Sequence, residues 1–200
     1  MRPSVTIVIP AWNEAERIGT ALRELRHLTD EHLVPIWDEL IVVDDGSTDS
    51  TYDQAVPFAD FVIRHDKNRG KGASLTSGWK RASGDIVVFL DADLGPSVVH
   101  TPLLLRPLLA NEADMSIAVF PTTVKKGGFG LVKNLAVQGI YQLSGYRAIA
   151  PLSGQRAIRK QVLESIGGLS HGFGIEVGLT IDAARAGYRI CEVPVPFHHR

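Results

Sequence analysis

The sequence predicts an α/β fold, a single domain whose mainly parallel sheet is flanked by helices. Short β-branched runs alternate with helical periodicities from residue 6 onward. Two of those runs, 41–43 and 86–90, are apolar without interruption, as in strands buried on both faces. A length of 200 residues supports one sizeable core and leaves two domains cramped.

Each element follows from local pattern. Residues 6–9 form a β-branched strand stopped by Pro10, and Ile18, Leu22, Leu25 and Leu28 then recur at helical spacing over 14–28. A second strand, 40–43, leads into the polar loop Asp44-Asp45-Gly46-Ser47-Thr48-Asp49, which can cap a helix from Ser50. A strand at 61–63, a helix over about 72–82 and a strand at 86–90 complete a first half, residues 1–95. A second half, 96–200, follows in the same domain. There we expect a helix to Leu109, a strand at 115–119, a mobile glycine-bearing loop at 125–130, a strand at 153–158, a helix over 175–186 and a last strand at 188–193. No internal repeat or linker interrupts the chain.

Composition narrows the function classes. Lys plus Arg number 21 against 22 Asp plus Glu, which gives no general polycationic character for nucleic acid. The single Cys191 excludes an internal disulfide and a cysteine-rich zinc site, and fits a reducing, cytoplasmic compartment. No apolar stretch approaches the roughly 20 residues of a membrane span. The segment 129–143 nevertheless mixes Leu131, Val132, Leu135, Val137, Ile140 and Tyr141 with nearby Lys125, Lys126 and Lys133, a pattern of a core-packed amphipathic helix or of a membrane-surface contact.

Ligands of open α/β sheets bind beyond the carboxyl ends of the strands, where residues 10–14, 44–47 and 91–93 all fall. Asp91 and Asp93, two residues apart after a buried strand, suit a hard divalent cation, Mg²⁺ or Mn²⁺, held jointly with the phosphates of a nucleotide. Asp44 and Asp45 offer acceptors for a base N–H and ribose hydroxyls, and Gly46 permits close backbone approach. The turn Asn68-Arg69-Gly70-Lys71-Gly72 places cations at a helix start, where phosphate or carboxylate can sit. Each motif alone also reads as a capping or surface turn; their convergence on one sheet edge favours a site.

The segments Ile9-Pro10-Ala11-Trp12-Asn13-Glu14, Val43-Asp44-Asp45-Gly46-Ser47-Thr48-Asp49, Gly70-Lys71-Gly72-Ala73 and Asp91-Ala92-Asp93, in this order, resemble family-2 glycosyltransferases of the GT-A fold. The resemblance implies that Pro10, Ala11, Glu14, Asp44 or Asp45, Lys71, Asp91 and Ala92 hold a nucleotide, most often uridine diphosphate, with Asp91 near the ribose and Asp93 on the metal. The second half resembles a branch, the glucosyl-3-phosphoglycerate synthases, through Pro151-Leu152-Ser153-Gly154-Gln155, residues 172–179 and the terminal His199-Arg200. Carried over, Glu176 lies beside donor sugar and acceptor, Ser153, Gly154 and Gln155 face the acceptor, and His199 completes the metal site, with His198 as the alternative ligand.

One departure bears on the acceptor. Where that branch has a glycine, arginine and threonine cluster, this chain has Gly130-Leu131-Val132-Lys133, and Leu131 cannot make the two-pronged contact of Arg with carboxylate or phosphate. Lys133, with Lys125 and Lys126, can still meet an anionic acceptor, and a polyprenyl phosphate enters beside a small anionic molecule. The expected partners are thus a nucleotide sugar, probed first as UDP-hexose, one of these acceptors, a membrane surface and a second copy of the chain. The expected reaction is metal-assisted hexosyl transfer in which Asp93 and Glu176 act at the reacting centre. A non-catalytic nucleotide-sugar binding protein and a nucleotidyltransferase are the other readings, although the latter requires a glycine-rich phosphate loop that Ala11-Trp12-Asn13-Glu14 is not. A polar segment beyond Arg200, closing over the site, is also expected.

Overall fold

A computed structural model describes residues 2–29, 35–121, 129–169 and 174–199. Seven strands form one sheet: β1 (Val5–Ala11), β2 (Glu39–Asp44), β3 (Phe61–Arg64), β4 (Ile86–Phe89), β5 (Met115–Val119), β6 (Arg156–Arg159) and β7 (Ile190–Pro194), in the spatial order β3-β2-β1-β4-β6-β5-β7. The pairs β1·β2, β1·β4, β2·β3 and β5·β7 are parallel, and among the described strands only β6 runs against its neighbours, β4 and β5. The expected mainly parallel sheet is what the chain forms.

Both faces of the sheet are covered, which is why β2 and β4 read as continuous apolar runs. Val5, Ile7 and Ile9 of β1 and Leu40 and Val42 of β2 pack with Ile18, Leu22 and Leu25 of α1 (Ala15–His27) and with Leu104, Leu105 and Leu108 of α4 (Thr101–Leu109). On the other face Val8, Ile41, Val43, Val87 and Phe89 meet Leu75 and Trp79 of α3 (Lys71–Arg81), Val162 and Leu163 of α6 (Lys160–Ser165) and Leu179 and Ala183 of α7 (Ile175–Arg185). The short helix α2 (Thr51–Ala55) follows the β2 loop one residue later than expected.

Three features differ from the expectations. Residues 92–100 form 3₁₀ turns (Ala92–His100) broken at Gly95, whose φ of 51° only glycine adopts readily. The six-residue α6 is too short to show a helical period. Phe129 and Gly130, expected in a loop, begin α5 (Phe129–Ser144). The remainder of that expected loop, with Lys125 and Lys126, lies outside the described residues, as do residues 172–173 and Arg200.

The topology makes the site. From β1 the chain winds outward through β2 and β3, then crosses back by α3 to place β4 on the far side of β1. The carboxyl ends of β1 and β4 therefore flank a crevice at the point where winding reverses. Because β6 is antiparallel, with Arg156 opposite Phe89, the loop that enters β6 arrives at that same carboxyl edge.

Candidate active site

A cleft of about 320 Å³ opens over this crevice, lined by Pro10, Ala11, Trp12 and Glu14 after β1, Asp45 after β2, and Asp91, Ala92 and Asp93 after β4. Asn68, Lys71 and Ser74 form its α3 wall. The first two loops are latched together: Asn13 N–H donates to Ser47 Oγ at 2.9 Å, and Thr48 N–H donates to Asn13 Oδ1 at 2.9 Å. Asn13 has φ 55°, a left-handed conformation that Asn tolerates because its short amide bonds locally.

The two aspartates of the β2 loop divide their work. Asp44 is fully buried and does not line the cleft; its carboxylate accepts the Ser47 N–H at 3.0 Å and lies 3.2 Å from Arg64 Nε. Asp45 does line it. Its Oδ1 accepts the Arg69 N–H at 3.0 Å and its Oδ2 the Gly70 N–H at 2.8 Å, so it anchors the turn that launches α3. His65 braces Asp45 from behind, with Nδ1 2.7 Å from Asp45 Oδ1 and Nε2 2.9 Å from Ser77 Oγ. Gly46 is required between them and the turn: φ is +71°, and an added Cβ would stand 2.4 Å from the Lys67 carbonyl carbon.

Charge concentrates at the β4 end. Lys71 Nζ, at the start of α3, lies 2.7 Å from Asp91 Oδ1 and 3.4 Å from Glu176 Oε1, which projects from the first turn of α7. Burial alone pushes the Lys71 ammonium down, but Asp91 and then Glu176 outweigh it and hold it above the ordinary lysine range, charged at neutral pH. Gln155 Nε2 donates to Asp91 Oδ2 at 2.5 Å. Asp93 Oδ1 lies 2.9 Å from His199 Nδ1, and the His199 ring stacks on Phe120 with centroids 4.9 Å apart.

Asp91, Asp93 and His199 each offer a ligand atom within 4.8 Å of the others. Two carboxylates and an imidazole suit Mn²⁺ or Mg²⁺ and leave coordination positions for a ligand's oxygens, so the donor set fits a divalent cation. His198 is not in this cluster. Its backbone N–H donates to Ser97 Oγ at 3.1 Å and its carbonyl accepts from the same hydroxyl, which pins the segment after β7 beside the 3₁₀ turns.

Of the residues expected at the acceptor, Gly154 and Gln155 lie against the Lys71–Asp91 pair and the Ser153 hydroxyl lies 3.5 Å from Gln155 Oε1; Lys133 is exposed on α5, and none of the four lines the cleft itself. Gly154 approaches so closely that an added Cβ would stand 2.5 Å from Lys71 Nζ and 3.4 Å from Asp91 Oδ2. Two contributors escaped the sequence reading. Ser74 lies one helical turn after Lys71 on the same face, a spacing that could have revealed it. Arg156 is 1% exposed in β6; its Nε donates to Ser153 O at 2.9 Å and its Nη1 to Thr180 Oγ1 at 2.8 Å, while Thr180 Oγ donates to Glu176 O at 2.8 Å. A lone cation in the run Arg156-Ala157-Ile158 was its signal. Burial pulls its guanidinium down to about 10, against the upward pull of Glu176, Glu192 and Tyr146, so it remains charged at neutral pH.

The glycosyl transferase family 2 model matches residues 6–167. The chain belongs to that family. Among its relatives, glucosyl-3-phosphoglycerate synthase of Mycobacterium tuberculosis H37Rv is 32% identical over 202 residues, covering 90% of this chain and 60% of the relative. Dolichol-phosphate mannosyltransferase of Pyrococcus furiosus is 32% identical over 207 residues, covering 96% of this chain and 56% of the relative. The chain thus spans about 60% of the length of the synthases it matches. The crystal structure of the M. tuberculosis synthase with Mn²⁺, UDP-glucose and phosphoglyceric acid superposes with a TM-score of 0.81 at 30% identity, over 99% of this chain and 72% of that one. The expected GT-A fold is therefore the fold of this family-2 glycosyltransferase domain.

Proposed function

We propose that the domain transfers a hexose, glucose first, from a UDP-linked donor to a phosphate-bearing acceptor with a divalent cation. The observation that carries this is the Asp91, Asp93 and His199 cluster opening onto the cleft with Lys71 beside it. The named acceptors of both relatives, phosphoglycerate and dolichol phosphate, bear phosphate, and the synthase structure holds UDP-glucose with Mn²⁺.

Asp91, Asp93 and His199 would hold Mn²⁺ or Mg²⁺, which when bound neutralises charge on the diphosphate leaving group. The chain's own groups do the rest. Pro10, Ala11, Glu14 and Asp45 surround the base and ribose, and Lys71, charged at neutral pH, meets the diphosphate. The bond between sugar C1 and the diphosphate oxygen breaks, and the acceptor hydroxyl oxygen bonds C1. With inversion at C1, Glu176 takes the hydroxyl proton; with retention, Glu176 positions the acceptor and the proton leaves with the diphosphate. Ser153, Gly154 and Gln155 shape the acceptor side, and Gln155 fixes the rotamer of Asp91.

The test is a panel of UDP-, GDP- and ADP-sugars with Mn²⁺ or Mg²⁺, read by release of nucleoside diphosphate. UDP-glucose is expected to release UDP only with metal, and release is expected to stop with EDTA. A chain that binds none of these donors and releases no diphosphate would sink the reading.

Gly154→Ala provides a finer check. The new methyl must displace the Lys71 ammonium, the far end of a flexible side chain, so stability should change little while donor turnover falls about tenfold. Thermal melting together with kcat separates the two effects.

A further inference from the structure

His65 is the first residue beyond β3, and its backbone N–H donates to Asp44 O at 2.9 Å, extending the β2·β3 pairing by one step. It therefore stands at the carboxyl edge of the sheet, 7% exposed, between the β2 loop and α3. An aromatic ring of similar size would fill that space by packing alone. Both nitrogens of the imidazole instead meet polar partners, Nδ1 at 2.7 Å from Asp45 Oδ1 and Nε2 at 2.9 Å from Ser77 Oγ. A carboxylate only accepts, so Nδ1 carries a proton and donates it. In the neutral ring Nε2 then accepts the Ser77 O–H, which fixes both tautomer and ring orientation.

That bond settles which part of Asp45 stays free. Two carboxylate oxygens offer about four acceptor positions. Among the described residues, Oδ1 receives the His65 Nδ1–H and the Arg69 N–H, and Oδ2 receives the Gly70 N–H. The position left is on Oδ2, in a residue that lines the cleft although it is only 3% exposed. A charged acceptor held in so dry a place requires a donor from the ligand and penalises a lone pair set against it. Uracil offers a ring N3–H on its pairing edge, whereas cytosine carries a lone pair on the same atom.

We propose that His65 is a positioning residue for base selection. It acts through Asp45, holding the carboxylate so that its free acceptor takes the N3–H of a uracil base and rejects the N3 lone pair of cytosine. Without His65, Oδ1 keeps only the Arg69 N–H, the carboxylate turns more freely, and the penalty for the wrong base falls. The assignment rests on the donor reading above: whether UDP binds tests that reading, and the ratio of UDP to CDP affinity tests this one.

The experiment is calorimetric titration of UDP and of CDP, each with Mn²⁺, into the 200-residue chain and its variants, with thermal melting of each protein. The unsubstituted protein should prefer UDP by at least about tenfold, the worth of one hydrogen bond to a charged group. His65→Phe should lower UDP affinity about tenfold and CDP affinity far less, so that most of the preference is lost. His65→Asn, whose amide N–H stands where Nδ1–H does, should restore the larger part of it. Ser77→Ala, which frees the ring without touching the bond to Asp45, should reduce the preference by only about threefold. In an Asp45→Asn background, His65→Phe should leave the ratio where Asp45→Asn alone puts it. With UDP-glucose the loss in His65→Phe should fall on KM rather than on kcat. Absence of UDP binding by the unsubstituted protein would remove the donor reading and this assignment with it. With UDP bound, equal affinity for CDP, an unchanged ratio in His65→Phe or in Ser77→Ala, or the same loss of preference in the Asp45→Asn background would overturn the proposal and leave the donor site standing.

Discussion

Asp93→Asn is expected to lower metal-dependent release of UDP from UDP-glucose by on the order of 10² to 10³ while the protein stays folded. Asparagine keeps the shape of the side chain and can still meet His199 Nδ1, now 2.9 Å from Asp93 Oδ1. It removes the charge, and an amide oxygen is a much weaker ligand for a hard cation than a carboxylate. The loss should fall mainly on kcat, because the charge that Asp93 helps to balance is greatest as the diphosphate leaves. Full turnover by this variant with added Mn²⁺ would remove Asp93 from the reaction.

The second large effect is expected from Arg156→Met, a substitution of similar length that needs no cavity. Thr180 Oγ1 loses a charged donor in a buried place and Ser153 O one in a half-buried place, at a cost of about 2 to 4 kcal/mol in unfolding free energy. The same two bonds tie the 151–155 loop, which carries Gln155 onto Asp91, to the first turns of α7, which carry Glu176 onto Lys71. Turnover should therefore drop about tenfold even where the variant is folded, with kcat more affected than KM. Arg156→Lys, able to satisfy only one of the two acceptors at a time, should recover part of both losses. Urea unfolding and kcat measured on the three proteins check this, and an unchanged urea midpoint in Arg156→Met would show that Arg156 carries no such load.

The first half of the molecule was legible because its signals are local. Uninterrupted runs at 41–43 and 86–90 announced strands covered on both faces, and the polar loops after them had to lie at the carboxyl edge. Lys71, Asp45 and Asp93 followed from that placement. What could not be read was which of two adjacent groups faces inward. Asp44 and Asp45 are both acidic, yet Asp44 turns beneath the loop to Ser47 and Arg64 while Asp45 lines the cleft, a choice made by the left-handed Gly46 and the arrival of the 67–70 turn. His198 and His199 presented the same ambiguity, and the grip of Ser97 on the His198 backbone aims His199 at Asp93.

In the second half, the informative partners are distant in sequence. Gln155 meets Asp91, and Glu176 meets Lys71, because β6 runs antiparallel to β4 and brings its entry loop to the active edge. No short-range period encodes that reversal. Arg156 shows in the sequence only as a cation within an expected strand, its partners Ser153 and Thr180 being set by the tertiary fold, and α6 is too short to carry a period. Lys133, expected at the acceptor by its place after Gly130-Leu131-Val132, is exposed on α5 and, like Gln155 and Glu176, is not in the lining of the cleft.

The most direct test of the metal-dependent donor site is calorimetric titration of UDP into the protein with saturating Mn²⁺ and again with EDTA. The cluster of Asp91, Asp93 and His199 predicts that UDP binds at least about tenfold more tightly with the metal, and that Asp93→Asn abolishes the difference. Equal affinity with and without Mn²⁺ in the unsubstituted protein would contradict it.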